Sequence, residues 1–368
     1  MSSLPSSKSA PESSPVRRPF FSLLLPTKNR SEILAGTIQS YLDQGFADFE
    51  IIVSDNDDSD TATRQAVARF SDLRIRYFRT SGRLPMHENY DFALSQATGS
   101  YIVALEDKLY LTPSALQTLH TVCVQHPQSV ISYPFILSQR EQLPGPRAPG
   151  RIRRFTCEQT IEEFCRFTPT YWDIFPRGIT SCAPRELYDE VRRRSPTGMV
   201  FSWINPDYSQ AFQVLSIAKE LLYLDQAIIF VPPSLHRTGK YSNGLAAIRK
   251  AEQAVRFFQS LPVDADSMLR DVPVKSHWLW VNPVLYDFYK FYRRPGHNPQ
   301  VDWVRYHVQC LSILIIGYLW GGDVRNEWRE IRRSLRERGL IFQVHVVLIF
   351  AWRSVRSVFM RVLNRFRY

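Results

Sequence analysis

Strand-length apolar runs alternate with segments of helical periodicity over roughly the first 110 residues, and few architectures accept such a pattern. Phe20–Leu25 is a short uncharged run closed by Pro26, as expected of a parallel strand buried on both faces. Ser31–Gln44 follows with Ile33, Leu34, Ile38, Tyr41 and Leu42 at helical spacing and Ser31 placed to cap it. Phe49–Ser54 reads as a second strand, Thr61–Phe70 as a helix, Ile75–Phe78 as a third strand and Met86–Ala97 as a helix. Gly99 is expected to end that helix in the left-handed conformation, before a fourth strand, Tyr101–Leu105. Alternation of this kind predicts a mostly parallel sheet with helices on both faces. Ligands of such sheets bind beyond the carboxyl ends of the strands. Two acidic clusters, Asp55–Asp60 and Glu106-Asp107, stand at those ends.

The full chain of 368 residues exceeds one average domain, which predicts a main domain plus an appendage. The expected division is a Ser- and Pro-rich leader over 1–18, an α/β domain over 19–250 and a helical, basic region over 251–368. Pro144–Arg154 reads as a loop. No apolar signal segment opens the sequence, so the expected location is the cytoplasmic side. Five dispersed cysteines, Cys123, Cys157, Cys165, Cys182 and Cys310, lack metal-ligand spacing and read as small buried side chains in a reducing compartment.

Three ordered segments carry a resemblance. Pro19–Arg30, Phe49–Asn56 and Asn89–Ile102 are similar, in order and spacing, to family 2 glycosyltransferases, strongly over about 19–115 and weakly to about 245. The resemblance implies a GT-A fold and transfer of a sugar, with inversion, from a nucleotide-diphosphate donor of the UDP type to a glycan or lipid-linked acceptor. It implies that Thr27, Lys28, Arg30, Asp55, Asn56 and Asn89 face the nucleotide sugar, with Glu106 and Lys108 close by. Asp55 suits a uracil-like imide or a ribose hydroxyl, and the cations suit the diphosphate. A solvated turn is the plainer reading of Asp57, Asp58 and Asp60.

Asp107 matches the acid that follows the fourth strand in the family, where an acidic cluster usually binds a divalent metal. Here Lys108 and Leu109 replace the further acids. Three readings stay open: Mg²⁺ or Mn²⁺ held by Asp107 and Glu106, metal-independent transfer with Lys108 facing the leaving diphosphate, or loss of activity. The last makes the chain a non-catalytic binder of sugar nucleotides or glycans. The best match to the family's general base is Asp207, which precedes an apolar periodic run and also reads as a helix N-cap; Asp173 is a weaker rival. His236, Arg237 and Lys240 form a basic loop suited either to the diphosphate or to solvent, and His87 and Glu88 are poorer nucleotide contacts than Asn89.

The formal charge of +11 is concentrated at the carboxy end, where Ile331–Tyr368 holds nine arginines against Glu337 alone. Val355, Val358, Phe359, Val362 and Phe366 share one helical face there, with arginines opposite. This pattern predicts a basic amphipathic helix lying on an anionic membrane, or else packed on protein. Aromatic and aliphatic residues interleave too densely with the arginines for a nucleic-acid tail. The uncharged run Gly339–Trp352 is too short to span a bilayer, which needs about 20 residues.

Overall fold

The structure, a computed structural model, describes residues 18–58, 61–137, 141, 150–202, 204–236, 256, 264–319 and 321–365, with side chains to Ser354 in the last helix. The chain runs β1 (Phe21–Thr27), α1 (Ser31–Leu42), β2 (Phe49–Asp55), α2 (Ala62–Val67), β3 (Ile75–Arg79), α3 (Met86–Gln96), β4 (Tyr101–Ala104), β5 (Tyr110–Leu111) and α4 (Ala115–Gln125). Then come β6 (Val130–Ser132), β7 (Phe135–Leu137), β8 (Ile152–Thr156), α5 (Cys157–Cys165), α6 (Pro169–Ile174), β9 (Ser181–Pro184) and α7 (Arg185–Arg194). The domain closes with α8 (Pro206–Ile217), β10 (Glu220–Leu224), β11 (Ile229–Val231) and the single turn α9 (Pro233–His236). Four longer helices follow: α10 (Val281–Phe291), α11 (Trp303–Leu319), α12 (Arg325–Glu337) and α13 (Leu340–Arg365).

Eight strands form the main sheet in the order β3-β2-β1-β4-β9-β6-β10-β8. The first four run parallel, whereas β9 lies antiparallel between β4 and β6, and β8 is an antiparallel edge. A second sheet of three short strands, β5-β11-β7, lies beside it. Consecutive residues of β1 serve opposite faces: Leu24 packs with α3, α5, α8 and α10, whereas Leu23 and Leu25 pack with α1 and α4. Each such leucine, fully withdrawn from water, contributes about 1.5–3 kcal/mol. A three-layer α/β/α body follows from this alternation.

The helices beyond residue 264 are not a separate layer. Phe288 of α10 meets Phe164 and Phe212 at ring-centroid distances of 5.3 and 5.5 Å, and one core runs from β1 to Ile331 of α12. All five cysteines are free and buried.

Several local expectations are corrected. Ser31 is the first residue of α1 rather than its cap, which is Arg30. Gly99 does not take the left-handed conformation; α3 ends with Ala97 extended. Close approach explains the glycine instead. A Cβ there would stand 2.7 Å from the Phe21 carbonyl carbon and the Ser22 nitrogen, both backbone atoms of β1. Gly99→Ala should therefore destabilise the fold by roughly 1–3 kcal/mol, the usual cost of overpacking. A lowered urea midpoint at unchanged slope is the expected result, and an unchanged midpoint would show that β1 yields.

Candidate active site

The parallel strands deliver their carboxyl ends to one rim, where Thr27 of β1 pairs in register with Asp55 of β2. Asp107, two residues past Leu105, is almost fully buried there. Its Oδ2 accepts from Thr27 Oγ1 at 2.9 Å and its Oδ1 from Arg30 Nη1 at 2.7 Å, while its carbonyl accepts from Thr37 at 2.6 Å. Burial pushes the Asp107 carboxyl above its ordinary pKa, and Arg30 and Thr27 pull the other way. Beside it, Glu106 Oε2 lies 2.9 Å from Lys108 Nζ. Lys28 is half-buried in the same loop as Arg30.

Asp55 is withdrawn completely from solvent. Its carboxylate accepts from Tyr77 and from Arg79 at 2.9 Å, and its other oxygen accepts from the Asp57 N–H at 2.9 Å. Asn56 pins the loop after β3, exchanging two hydrogen bonds of 2.8 Å with the backbone of Leu84. Asn89, on α3, is buried and accepts from Ser54. Asp57 and Asp58 bind Asn29 and, respectively, Thr63 and Arg83, so both tie down the β1–α1 loop; Asp57 is buried, whereas Asp58 lies at the exposed surface as the solvated-turn reading has it.

The other half of the site comes from α8. Asn205 caps this helix and Pro206 opens it, so Asp207 is its second residue and not the N-cap. The Asp207 carboxyl is partly buried, and desolvation lifts its pKa to about 6. Arg177 opposes that rise and Glu106 adds to it, which places Asp207 within electrostatic reach of both. Tyr90 lies between the two halves: burial raises its hydroxyl pKa, and Glu106, Asp107 and Asp207 all raise it further. Three carboxyl groups thus act through their fields on one buried phenol, whose hydroxyl donates to the Leu105 carbonyl at 3.0 Å. Gly178 permits the approach of Arg177, because a Cβ there would meet the Asp207 Cα at 3.3 Å. The Arg177 Nε is buried and makes no hydrogen bond.

Asp107 and Glu106 do not suit a divalent cation in this arrangement. Both Asp107 oxygens are engaged, Arg30 and Lys108 bring positive charge to the same two carboxylates, and among the described residues no three His, Cys, Asp or Glu side chains cluster as ligands. The metal role expected of Asp107 is one that these neighbours argue against.

Residues 22–181 match the family model described as Glycosyl transferase family 2. This segment is a family 2 glycosyltransferase domain. The chain is 38% identical over 104 residues to the GalNAc(5)-diNAcBac-PP-undecaprenol beta-1,3-glucosyltransferase of Campylobacter jejuni, 27% of this chain and 33% of that one. It is 33% identical over 85 residues to the UDP-Glc:alpha-D-GlcNAc-diphosphoundecaprenol beta-1,3-glucosyltransferase WfgD of Escherichia coli, 23% of this chain and 33% of that one. It is also 30% identical over 153 residues to the putative colanic acid biosynthesis glycosyl transferase WcaA of Escherichia coli, 37% of this chain and 52% of that one. The chain thus spans between a third and about a half of the length of these curated relatives. Among solved structures it is similar to S. aureus TarS 1-349 at 16% identity and a TM-score of 0.48, over 87% of this chain and 92% of that one.

Within the matched residues, Thr27, Arg30, Glu106, Asp107 and Lys108 form one cluster; Asp207 lies beyond residue 181 and is within electrostatic reach of Glu106 and Tyr90. Asp173 stands apart, on the exposed side of α6, and is linked to the cluster only through the field of Arg177. His87 is buried, and desolvation lowers its pKa against the opposing pull of Glu88 and Asp91. Arg237 and Lys240 lie outside the described residues, as does the side chain of His236. Sequence reasoning missed Arg177, Tyr90 and the Arg79–Asp55 pair. The one available signal was the Arg177-Gly178 step ahead of an apolar strand.

Asp55 was expected to contact ligand rather than core, and its burial reverses that expectation for stability. Asp55→Ala strands Arg79 and the Tyr77 hydroxyl, and should cost about 3 kcal/mol. Chemical denaturation measures this, and wild-type stability in the variant would contradict the buried pair.

Proposed function

We propose that the chain is a glycosyltransferase that moves a hexosyl group from a UDP-type sugar to a sugar hydroxyl of a lipid-linked or related glycan, with inversion at the anomeric carbon. The observation that supports it best is Asp207. It is a carboxyl with a pKa of about 6, facing the acidic cluster of a family 2 domain from the amino end of α8. In this reading the Asp207 carboxylate takes the proton of the acceptor hydroxyl as its oxygen bonds to the anomeric carbon. The bond from that carbon to the diphosphate oxygen breaks with its electron pair, and the nucleoside diphosphate departs. Arg30, Lys28, Lys108 and Arg177 supply positive charge around the leaving group, in the place a divalent ion takes elsewhere in the family. Two of the curated relatives are named as glucosyltransferases, so the non-catalytic reading is not favoured.

The two relatives named as glucosyltransferases act on undecaprenol-diphosphate glycans, and this supports the acceptor class. No helix among the described residues is long and apolar enough to cross a membrane. The reading therefore places the enzyme on the membrane surface at the cytoplasmic face, held by α13. The tail side chains expected to anchor it, Val355 to Phe366, lie outside the described ones.

A base must be ionised to work, so kcat/KM should rise with pH through about 6 and level off above it, not through about 4. Asp207→Asn should abolish that limb and lower kcat by at least ~10²-fold with little change in donor KM. A normal kcat in that variant would return Asp207 to helix stabilisation. Release of UDP from a panel of UDP-sugars, with undecaprenyl-diphosphate glycans as acceptors, tests the reaction itself. Activity should survive EDTA and fall ~10-fold or more in Lys108→Ala. Abolition by EDTA, restored with Mn²⁺, would overturn the cationic account.

A further inference from the structure

A groove of about 650 Å³ opens between α6 on one side and α11 and α13 on the other. Trp172 and Asp173 line its first wall; Arg305, Ile349, Trp352 and Arg353 line the second. Thr168 caps α6, accepting from the Tyr171 N–H at 3.2 Å, and Pro169 starts the helix, so the first wall is locally fixed.

The charges of this groove are unbalanced. Arg353 is half-buried and donates to Gln309 Oε1 at 3.3 Å, but has no carboxylate partner among the described residues. Arg305 reaches Asp302 only at 3.6 Å. Two guanidinium groups at an apolar wall, one of them desolvated, call for an anion with several oxygens.

The two walls of the groove differ in kind. On the first, Asp173 lies within the field of Arg177, which is itself within the field of Asp207. An indole beside a carboxylate suits a sugar, with an apolar face to stack and hydroxyls to bind. On the second, Trp352 lines the groove and is 62% exposed. It borders an apolar stripe on α13 formed by Leu340, Ile341, Val344, Val347 and Leu348, which are 47–77% exposed. At 1.5 Å per residue the stripe from Leu340 to Trp352 runs about 18 Å. A patch this long on a soluble surface marks a binding face.

We propose that this groove binds a polyprenyl-diphosphate-linked glycan. Its sugar lies at Trp172 and Asp173, its diphosphate between Arg305 and Arg353, and its prenyl chain along α13. The proposal rests on the acceptor class argued above and adds the site and the orientation.

The test is calorimetric titration of the full chain, without donor, using geranylgeranyl diphosphate, inorganic pyrophosphate and geranylgeraniol. The prenyl diphosphate should bind at least tenfold tighter than either fragment. Arg353→Glu with Arg305→Glu should weaken it at least ~100-fold, Arg353→Gln about tenfold, and Val344→Gln with Leu348→Gln should weaken it while leaving pyrophosphate unchanged. Equal binding of pyrophosphate and the prenyl diphosphate, binding indifferent to the arginines, or sedimentation as a stable dimer that the Val344 and Leu348 changes dissociate would each overturn the proposal. Failure here with transfer to a soluble acceptor intact would spare the reaction. Binding as described without turnover on any UDP-sugar would overturn the reaction and keep the groove.

Discussion

The buried carboxyl of Asp287 ties α10 to the start of α8. Its Oδ2 accepts from both the backbone N–H and the side-chain amide of Asn205, at 3.2 and 3.0 Å, from across the core. Burial drives its pKa well up, and its other oxygen makes no hydrogen bond. Asn205 is the cap of α8, yet it makes no side-chain cap bond, because its side chain is committed to Asp287. The cap's usual stabilisation is given up for a fixed helix position. Asp207 is two residues along, so its placement depends on α10, a helix outside the residues that match the family model.

The same economy of burial organises the rim opposite. Arg30 and Thr27 come from the end of β1, Asp107 from beyond β4, and the ion pair between them locks adjacent strands where the sheet opens. Cations already present there alter what a ligand meets: a preorganised positive field instead of a metal with its own water. Such a field does work only where water is excluded, and the near-complete burial of Asp107 meets that condition.

Much of the first half was legible because its signals are local. Apolar runs of β1, β2 and β4 and the periodicity of α1 and α3 are one-dimensional patterns, and each strand end carries its functional residue in the same segment. Asp55 shows the limit: the sequence puts it at a strand end, but only the fold brings Tyr77 and Arg79 over it. Gly99 shows another, since its reason is the backbone of a strand some eighty residues earlier rather than its own turn. Arg177 and Asp287 were illegible for a third cause. Their partners, Asp207 and Asn205, are thirty and eighty-odd residues away with no repeating pattern between them.

The reversal of β9 has a consequence for how such an enzyme changes its substrate over time. Ser132 of β6 pairs with Ser181 of β9, and the Tyr133 N–H donates to the Thr180 carbonyl at 3.1 Å. The two ends of residues 133–180 therefore meet at one point, like the closed neck of a pouch, and among the described residues between them only β8, at the edge of the main sheet, and β7, in the second sheet, pair with other strands. The connections between these elements can lengthen, shorten or be exchanged without shifting the register of β1, β2, β3 or β4, whereas β8 and the core faces of α5 and α6 are held in place. The cost of closing a longer loop grows only as the logarithm of its length. Arg177 and Gly178 lie at the neck, so they stay beside Asp207 whatever the pouch becomes. Acceptor choice can then diversify in the pouch while the transfer step stays with the sheet.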